Sequence, residues 1–377
     1  MAGTVVTTDR VSMTYTLITD NPTLADFCST TAPVLALDTE FIRTRTFYAK
    51  PGLYQLYDGQ HTALIDPLQV TDLSPLWGLL QDSKRISILH AGGEDVELIQ
   101  HQSGALPAHT HDTQLAAAFL GLGTQLGFAP LVEKILGVSL EKAHARTDWL
   151  ARPLSSAQLS YAADDVIYLY PLYQQLMEQL EQKGLQPWFI QECERAVLRR
   201  SESVAPHLAY LDIKNAWTLD PQGLGILQRL CEWRLREAKQ RDLALNFVVK
   251  EAHLFRIAER APVTLSDLNA LELTPMEIKR HGERLLTLVQ DALANPDTWP
   301  APVQRLIDYP GYKAELKRIK TLVDQAALQA DIPADLISSK RLIHQYLSWK
   351  WRLEESNEVT PVLLQGWRGE LLSSTLG

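Results

Sequence analysis

Asp38 and Glu40 stand one residue apart in the stretch LALDTEF, an apolar run of strand-like composition. Side chains alternate faces along a strand, so both carboxylates project the same way. Two ionised acids on one face repel each other, and burying them without a partner is costly. A divalent cation would resolve the conflict. So would Arg43 or Arg45 together with solvent, for an acid pair near a strand end. Asp95 follows ILHAGGED, where a buried strand gives way through glycines to the start of a helix. Helix N-termini favour acids in any case, so Asp95 by itself is neutral evidence. Tyr161 and Asp165 are i and i+4 in LSYAADDVIYL, one turn apart on one helix face. A phenol above a carboxylate can orient a water. Asp164 points about 100° away on the helix and receives no role.

Asp38, Glu40, Asp95 and Asp165 together put four acids on one stretch of chain. Oxygen-only sites without His or Cys select Mg²⁺ or Mn²⁺. Four carboxylates suit two such ions held about 4 Å apart. That chemistry serves in-line cleavage of a phosphodiester: one ion lowers the pKa of the attacking water, and the other stabilises the leaving 3′ oxygen.

Patterning supplies the elements that must carry these residues. Residues 33–70 read as strands, with Asp58-Gly59 as a hairpin signal. SPLWGLLQD reads as a short capped helix, RISILHAGG as a buried strand, and EDVELIQHQ as the start of a helix. From about 110 to 182 apolar residues recur at helical spacing, with Pro171 expected to kink or end the last helix. The result is a mixed α/β domain with one central sheet over residues 14–190, after a polar tail at 1–13 that leaves Met13 open as a second start. Residues 191–215 read as a linker. Beyond it no strand is expected: one all-α domain at 216–294, with Ser266 and Thr274 as helix caps, and a second at 304–377. The proline-rich ANPDTWPAPVQ at 294–304 marks the boundary, and the similar order of the two sets suggests a diverged repeat.

The 377 residues fit two or three domains. The net charge is −9, but residues 1–190 carry 11 Lys/Arg against 20 Asp/Glu while the remainder is balanced. Bulk charge in the first half therefore opposes polyanion binding unless cations intervene. Three scattered cysteines fit a reducing cytoplasm and argue against disulfides or zinc. No apolar run is long enough to span a membrane, and no secretory signal is read at the N-terminus.

LALDTEF, ILHAGGEDVELI and LSYAADDVIYL resemble, in order and spacing, the three motifs of the DEDD exonuclease superfamily in its tyrosine-bearing branch. DWLARPLS with Gln158 and YAADDV is similar to the ribonuclease D family, and the helical half to the helicase-and-RNase-D C-terminal (HRDC) module. Asn246 departs from that module, which often has a proline there. The resemblance implies a ribonuclease H-like exonuclease domain followed by two helical domains. It further implies a cytoplasmic 3′→5′ exoribonuclease that releases 5′-monophosphates, acting chiefly on tRNA precursors with 3′ extensions. Asp38, Glu40, Asp95 and Asp165 would hold two Mg²⁺ or Mn²⁺ ions, and Tyr161 would orient water. Phe41 and Gln55 are expected beside the RNA 3′ end. Arg234, Arg236, Lys239 and Arg241, with Arg229 on the same helix, are candidate phosphate contacts, as are the basic runs at Lys313–Lys320 and Lys340–Arg352. Trp233, Trp349 and Trp351 read as core. A DNA exonuclease and a non-catalytic RNA-binding module are the alternatives; the second would have lost a metal acid, and all four acids are present.

Overall fold

The computed structural model describes residues 15–30, 32–140, 147–202, 205–353 and 359–376. The tail at 1–13, and with it the choice of start, lies outside them. The chain divides into two compact units. One comprises the residues up to Ile42 together with Lys50–Ser201, and the other Arg43–Ala49 together with the chain from Glu202 onward.

The first unit runs β1 (Tyr15–Ile18), α1 (Asn21–Cys28), β2 (Val34–Ile42), β3 (Lys50–Tyr57), β4 (Thr62–Ile65), α2 (Ser74–Leu80), β5 (Ile86–Leu89), α3 (Gly93–Ser103), β6 (Thr110–Asp112), α4 (Thr113–Phe119), α5 (Phe128–Leu136), α6 (Ser156–Gln182) and α7 (Gln186–Ser201). The strands form one mixed sheet in the order β1-β4-β3-β2-β5-β6. β2 lies inside it, antiparallel to β3 and parallel to β5. The predicted hairpin forms between β3 and β4, where the Asp58 carboxylate accepts from the Gln60 and His61 N–H groups.

Helix α6 covers the sheet face that bears Ala36. Ala36 and Ile88 pack with Val166, Leu169 and Tyr173, and Leu53 and Leu64 pack with Ala162, Ala163 and Trp149. Asp38 and Glu40 continue the Ala36 face by alternation. They therefore meet α6 where its N-terminal turns carry Tyr161 and Asp165. Helix α6 starts at a capping box, Ser155 with Gln158.

Several expectations need correction. Pro171 does not end α6, which continues to Gln182; proline removes a single backbone bond, and buried Leu169, Leu172 and Tyr173 hold both sides. β1, α1 and the three-residue β6 were not read, because such short elements show too little periodicity. Residues 191–201, read as linker, are the last turns of α7, whose Phe189 and Cys193 are buried. Helix α2 begins without a side-chain cap.

The second unit holds α8 (Pro221–Arg241), α9 (Leu245–Val248), α10 (Glu251–Arg260), α11 (Leu265–Asn269), α12 (Pro275–Ala294), α13 (Tyr312–Ala330), α14 (Ala334–Ile337), α15 (Lys340–Lys350) and α16 (Gly366–Leu376). Among the described residues it contains no strand. A long helix, a four-residue helix and a medium helix recur as α8–α10 and α13–α15. Each long helix ends on an aspartate in the left-handed region, Asp242 and Asp331. Thr274 caps α12 as expected, whereas α11 is capped by Thr264 rather than Ser266. Residues 294–304 are not loose: the Trp299 indole N–H donates to the Ala292 carbonyl, and its ring fills the space a side chain at Gly225 would need. Among the described residues no helix is long and apolar enough to cross a membrane.

Candidate active site

The antiparallel register sets Asp38 opposite Gln55 and Glu40 opposite Leu53, and it shifts between Glu40 and Phe41. Such a bulge bends a strand and re-aims its side chains. The start of α6 is tied down from the other side. Arg152 donates Nε–H to Asp66 Oδ2 at 2.7 Å, and its Nη2 donates to Asp66 Oδ1 at 2.8 Å and to the Gly52 carbonyl at 2.7 Å. This fork anchors the segment that leads into the Ser155 cap against β3 and the end of β4.

The result is convergence. Asp38, Glu40 and Asp165 each offer a carboxylate oxygen, and these oxygens lie within 4.8 Å of one another. Among the described residues this is the one such group of three or more metal-suited side chains. Asp95, buried in the first turn of α3, stands just outside it. Its Oδ1 accepts from the Thr39 hydroxyl at 2.5 Å, so the residue between the two strand acids holds the second motif's carboxylate.

The electrostatics are those of acids crowded together. Burial, then the charges of Asp95, Asp165 and Glu40, hold the Asp38 carboxyl well above the usual range. Burial and the same two aspartates push Glu40 up to about 9. Burial raises Asp165 to about 7 against a hydrogen bond from Tyr161, and raises Asp95 to about 6 against the bond from Thr39. Tyr161 is itself raised, by burial first and then by Asp165, Glu40 and Asp38. The shifts share two physical causes: negative charge is poorly solvated here, and it meets more negative charge. The all-oxygen donor set and this unrelieved repulsion are what a divalent cation fits. The site is thus a candidate metal centre built from the expected residues.

The expected RNA contacts fare unequally. Phe41 is half-buried beside the acids. Gln55 is fully buried, and neither atom of its amide has a hydrogen-bond partner. It lies opposite Asp38 on the same sheet face, and its burial leaves none of it exposed to a base or sugar. Arg234 is also buried, with Nη1 donating to the Val249 carbonyl; spacing on an amphipathic helix did not reveal that it faces inward. Arg236 and Arg241 remain at the surface in i,i+4 pairs with Glu232 and Glu237. Lys239 lies 5.9 Å from the Phe47 ring centroid. Arg229 is engaged by Asp291 and Thr298. Trp233 packs against His281, Trp349 lies near Tyr346, and Trp351 stacks on Tyr309 at 4.3 Å. Asn246 accepts the Glu251 N–H at the start of α10, a use for the polar residue found there. Thr39 and Arg152 were missed as site residues. Their signals were present, a hydroxyl between two acids and an arginine before a cap, but neither identifies a partner.

Comparison with known proteins agrees with this geometry. The 3′-5′ exonuclease family matches residues 15–181, the HRDC domain matches 223–289, and the ribonuclease D C-terminal HRDC domain matches 310–376. Ribonuclease D of Escherichia coli is 47% identical over 97% of this chain and 98% of its own length. Ribonuclease D of Haemophilus influenzae is 37% identical over 96% of this chain and 92% of its own length. The crystal structure of Escherichia coli RNase D, an exoribonuclease involved in structured RNA processing, matches with a TM-score of 0.94 over 97% of this chain and 98% of that one. The chain belongs to the ribonuclease D family and is a 3′→5′ exoribonuclease.

Proposed function

We propose that this exoribonuclease trims the 3′ extensions of structured RNAs, chiefly tRNA precursors, in the cytoplasm, using two divalent ions, Mg²⁺ or Mn²⁺. The observation that carries the reading is the convergence of Asp38, Glu40 and Asp165 within 4.8 Å in surroundings that penalise their charge. Asp38, Glu40, Asp95 and Asp165 are the proposed ligands. Bound divalent ions would supply charge neutralisation and an acidified water for attack on the terminal phosphodiester.

The chain's own residues do the rest. Asp38 and Glu40 offer adjacent carboxylates from one rigid strand, and Asp165 offers a third from α6. Thr39 orients the Asp95 carboxylate through its hydroxyl. Tyr161, raised above its usual pKa, keeps its proton at neutral pH. It therefore orients the attacking water by hydrogen bonding and does not act as a base. Phe41 is the proposed contact for the terminal nucleotide. The two helical segments, 216–294 and 304–377, are proposed as separate HRDC domains whose exposed basic residues, Arg236 and Arg241 among them, contact phosphates.

The test is purified protein with 3′-tailed tRNA and with single-stranded DNA, with and without Mg²⁺, resolved on a sequencing gel. Stepwise loss of 3′ nucleotides as 5′-monophosphates, requiring Mg²⁺ and favouring the tRNA, is expected. Equal trimming of DNA, or trimming in the presence of chelator, would overturn the substrate or the metal reading respectively.

A further inference from the structure

Asp95 differs from the other three site acids in how it is delivered. It lies three residues into α3, so its direction is inherited from how that helix begins. Between β5 and α3 the chain passes through Ala91 at φ 54°, a left-handed conformation that is unfavourable for a non-glycine residue. Something must hold that turn. The Ala91 N–H donates to Asp112 Oδ1 at 2.9 Å, and the Gly92 N–H donates to Asp112 Oδ2 at 3.1 Å. The same Oδ1 accepts the Gln114 N–H at 2.8 Å, which caps α4. One carboxylate thus gathers three backbone donors from two elements.

The surroundings leave the turn little slack. A side chain at Gly92 would sit 2.6 Å from Leu89 Cβ, and one at Gly93 would sit 2.6 Å from Arg200 Nε. The His90 ring is pinned between the Thr113 hydroxyl at 2.9 Å and the Leu126 carbonyl at 3.1 Å. Asp112 itself sits at the end of β6, in register with Leu89 of β5. A simple helix cap needs one acceptor; Asp112 reaches across to the neighbouring strand's exit with both of its oxygens.

We propose that Asp112 is a positioning residue for catalysis: its carboxylate clamps the left-handed turn at Ala91 and thereby sets where α3 places the Asp95 carboxylate. The inference rests on the reading of Asp95 as a metal ligand. It assigns Asp112 no contact with metal or RNA.

The experiment uses the full chain and measures Mn²⁺ affinity without RNA by calorimetry, together with thermal midpoints and single-turnover rates. The variants are Asp112→Ser, Asp112→Asn, Asp95→Ala and the double variant Asp112→Ser/Asp95→Ala. Serine can still cap α4 but is too short to span to Ala91 and Gly92. Asparagine keeps the oxygen that serves Ala91 and Gln114 and sets an N–H₂ against Gly92. Losses of about 10-fold or more in Mn²⁺ affinity are expected for Asp112→Ser, the usual size for a group that orients a ligand, with a smaller loss for Asp112→Asn. The rate should recover as Mn²⁺ is raised. In the double variant the Asp112 change should cause no further loss of affinity, because it acts through Asp95. A lowered thermal midpoint with wild-type Mn²⁺ affinity, or losses that add in the double variant, would make Asp112 a fold-stabilising cap and overturn the proposal. Should Asp112→Ser not fold, the same comparison is made with Asp112→Asn, alone and with Asp95→Ala. If Asp95→Ala itself binds Mn²⁺ normally, the metal-ligand reading fails, a result distinct from failure of the clamp.

Discussion

Glu40 in the exonuclease unit and Glu277 in the helical unit are both shielded glutamates, yet Glu40 is pushed up to about 9 and Glu277 is held at about 2. Burial raises both. At Glu277 that effect is outweighed by the Lys250 N–H, the Thr274 N–H and hydroxyl, and His253, all of which donate to its carboxylate. Glu315 is likewise held at about 2, by Arg318 and Lys350. At Glu40 the charges that act are Asp165 and Asp95. The helical unit spends its acids on capping and pairing. The exonuclease unit leaves the four acids of its site crowded together, which costs stability and creates a place for cations. Carboxylates crowded without a counter-charge in one fold, beside paired carboxylates in the same chain, mark the candidate site.

The sharpest way to break this comparison is to remove the crowded acids. Asp38→Ala and Asp165→Ala should each abolish detectable cleavage in single-turnover assays with Mg²⁺. Each should also raise the thermal midpoint of the metal-free protein, by about 2–4 °C for every kcal/mol of repulsion relieved. A midpoint that falls would mean that the acids are satisfied by partners after all. Next in size is Tyr161→Phe, which keeps the ring beside Trp149 and removes only the hydroxyl. Turnover should fall by about 10²-fold while RNA affinity holds. A normal single-turnover rate would reduce Tyr161 to a packing residue.

The paired acids should behave in the opposite sense. Glu277→Ala leaves buried donors without an acceptor and should destabilise the chain by about 1–3 kcal/mol, as read by urea unfolding. The pH dependence separates the two glutamates further. Glu40 has a folded pKa above its unfolded value of about 4.3, so its favourable contribution is full below that value and fades as pH climbs through about 9. Glu277 has a depressed pKa, so its contribution is full above about 4.3 and is lost as pH falls through about 2. Metal-free melting curves of the wild type against Glu40→Gln and Glu277→Gln, taken from pH 3 to pH 9, should show slopes of opposite sign; parallel slopes would contradict the contrast.

The smallest effect belongs to the exposed basic helix. Arg236→Ala breaks an exposed pair with Glu232 and should change stability by less than about 1 kcal/mol. It should weaken RNA binding uniformly and make the log–log salt slope shallower by about 1. Arg234→Ala should do the reverse, lowering stability with an unchanged salt slope, because its guanidinium is turned into the core. Fluorescence anisotropy across a salt series distinguishes the two arginines that a sequence pattern treats alike.

Local physics made much of this legible in the amino-acid order. Alternation puts Asp38 and Glu40 on one face, and the i,i+4 spacing puts Tyr161 above Asp165. Threonine followed by glutamate three residues later marks the cap at Thr274. The absence of period-two patterning after residue 191 shows a helical second half. These rules act over a few residues, and so they can be read from a few residues. What only the tertiary structure decided depends on which distant segments meet. Gln55 and Arg234 looked available for RNA because the sequence shows their polarity but not what covers them; α6 covers the first and the helical core encloses the second. Thr39 looked incidental until α3 brought Asp95 to its hydroxyl. Asp112 carried no signal in the sequence, and the parallel pairing of β5 with β6 sets it beside the turn at Ala91. Chain order determines which carboxylates exist and which way each points on its own element. The convergence of those carboxylates, and the direction in which each pKa moves, depends on burial and on charges contributed by residues up to 127 positions away, as between Asp38 and Asp165.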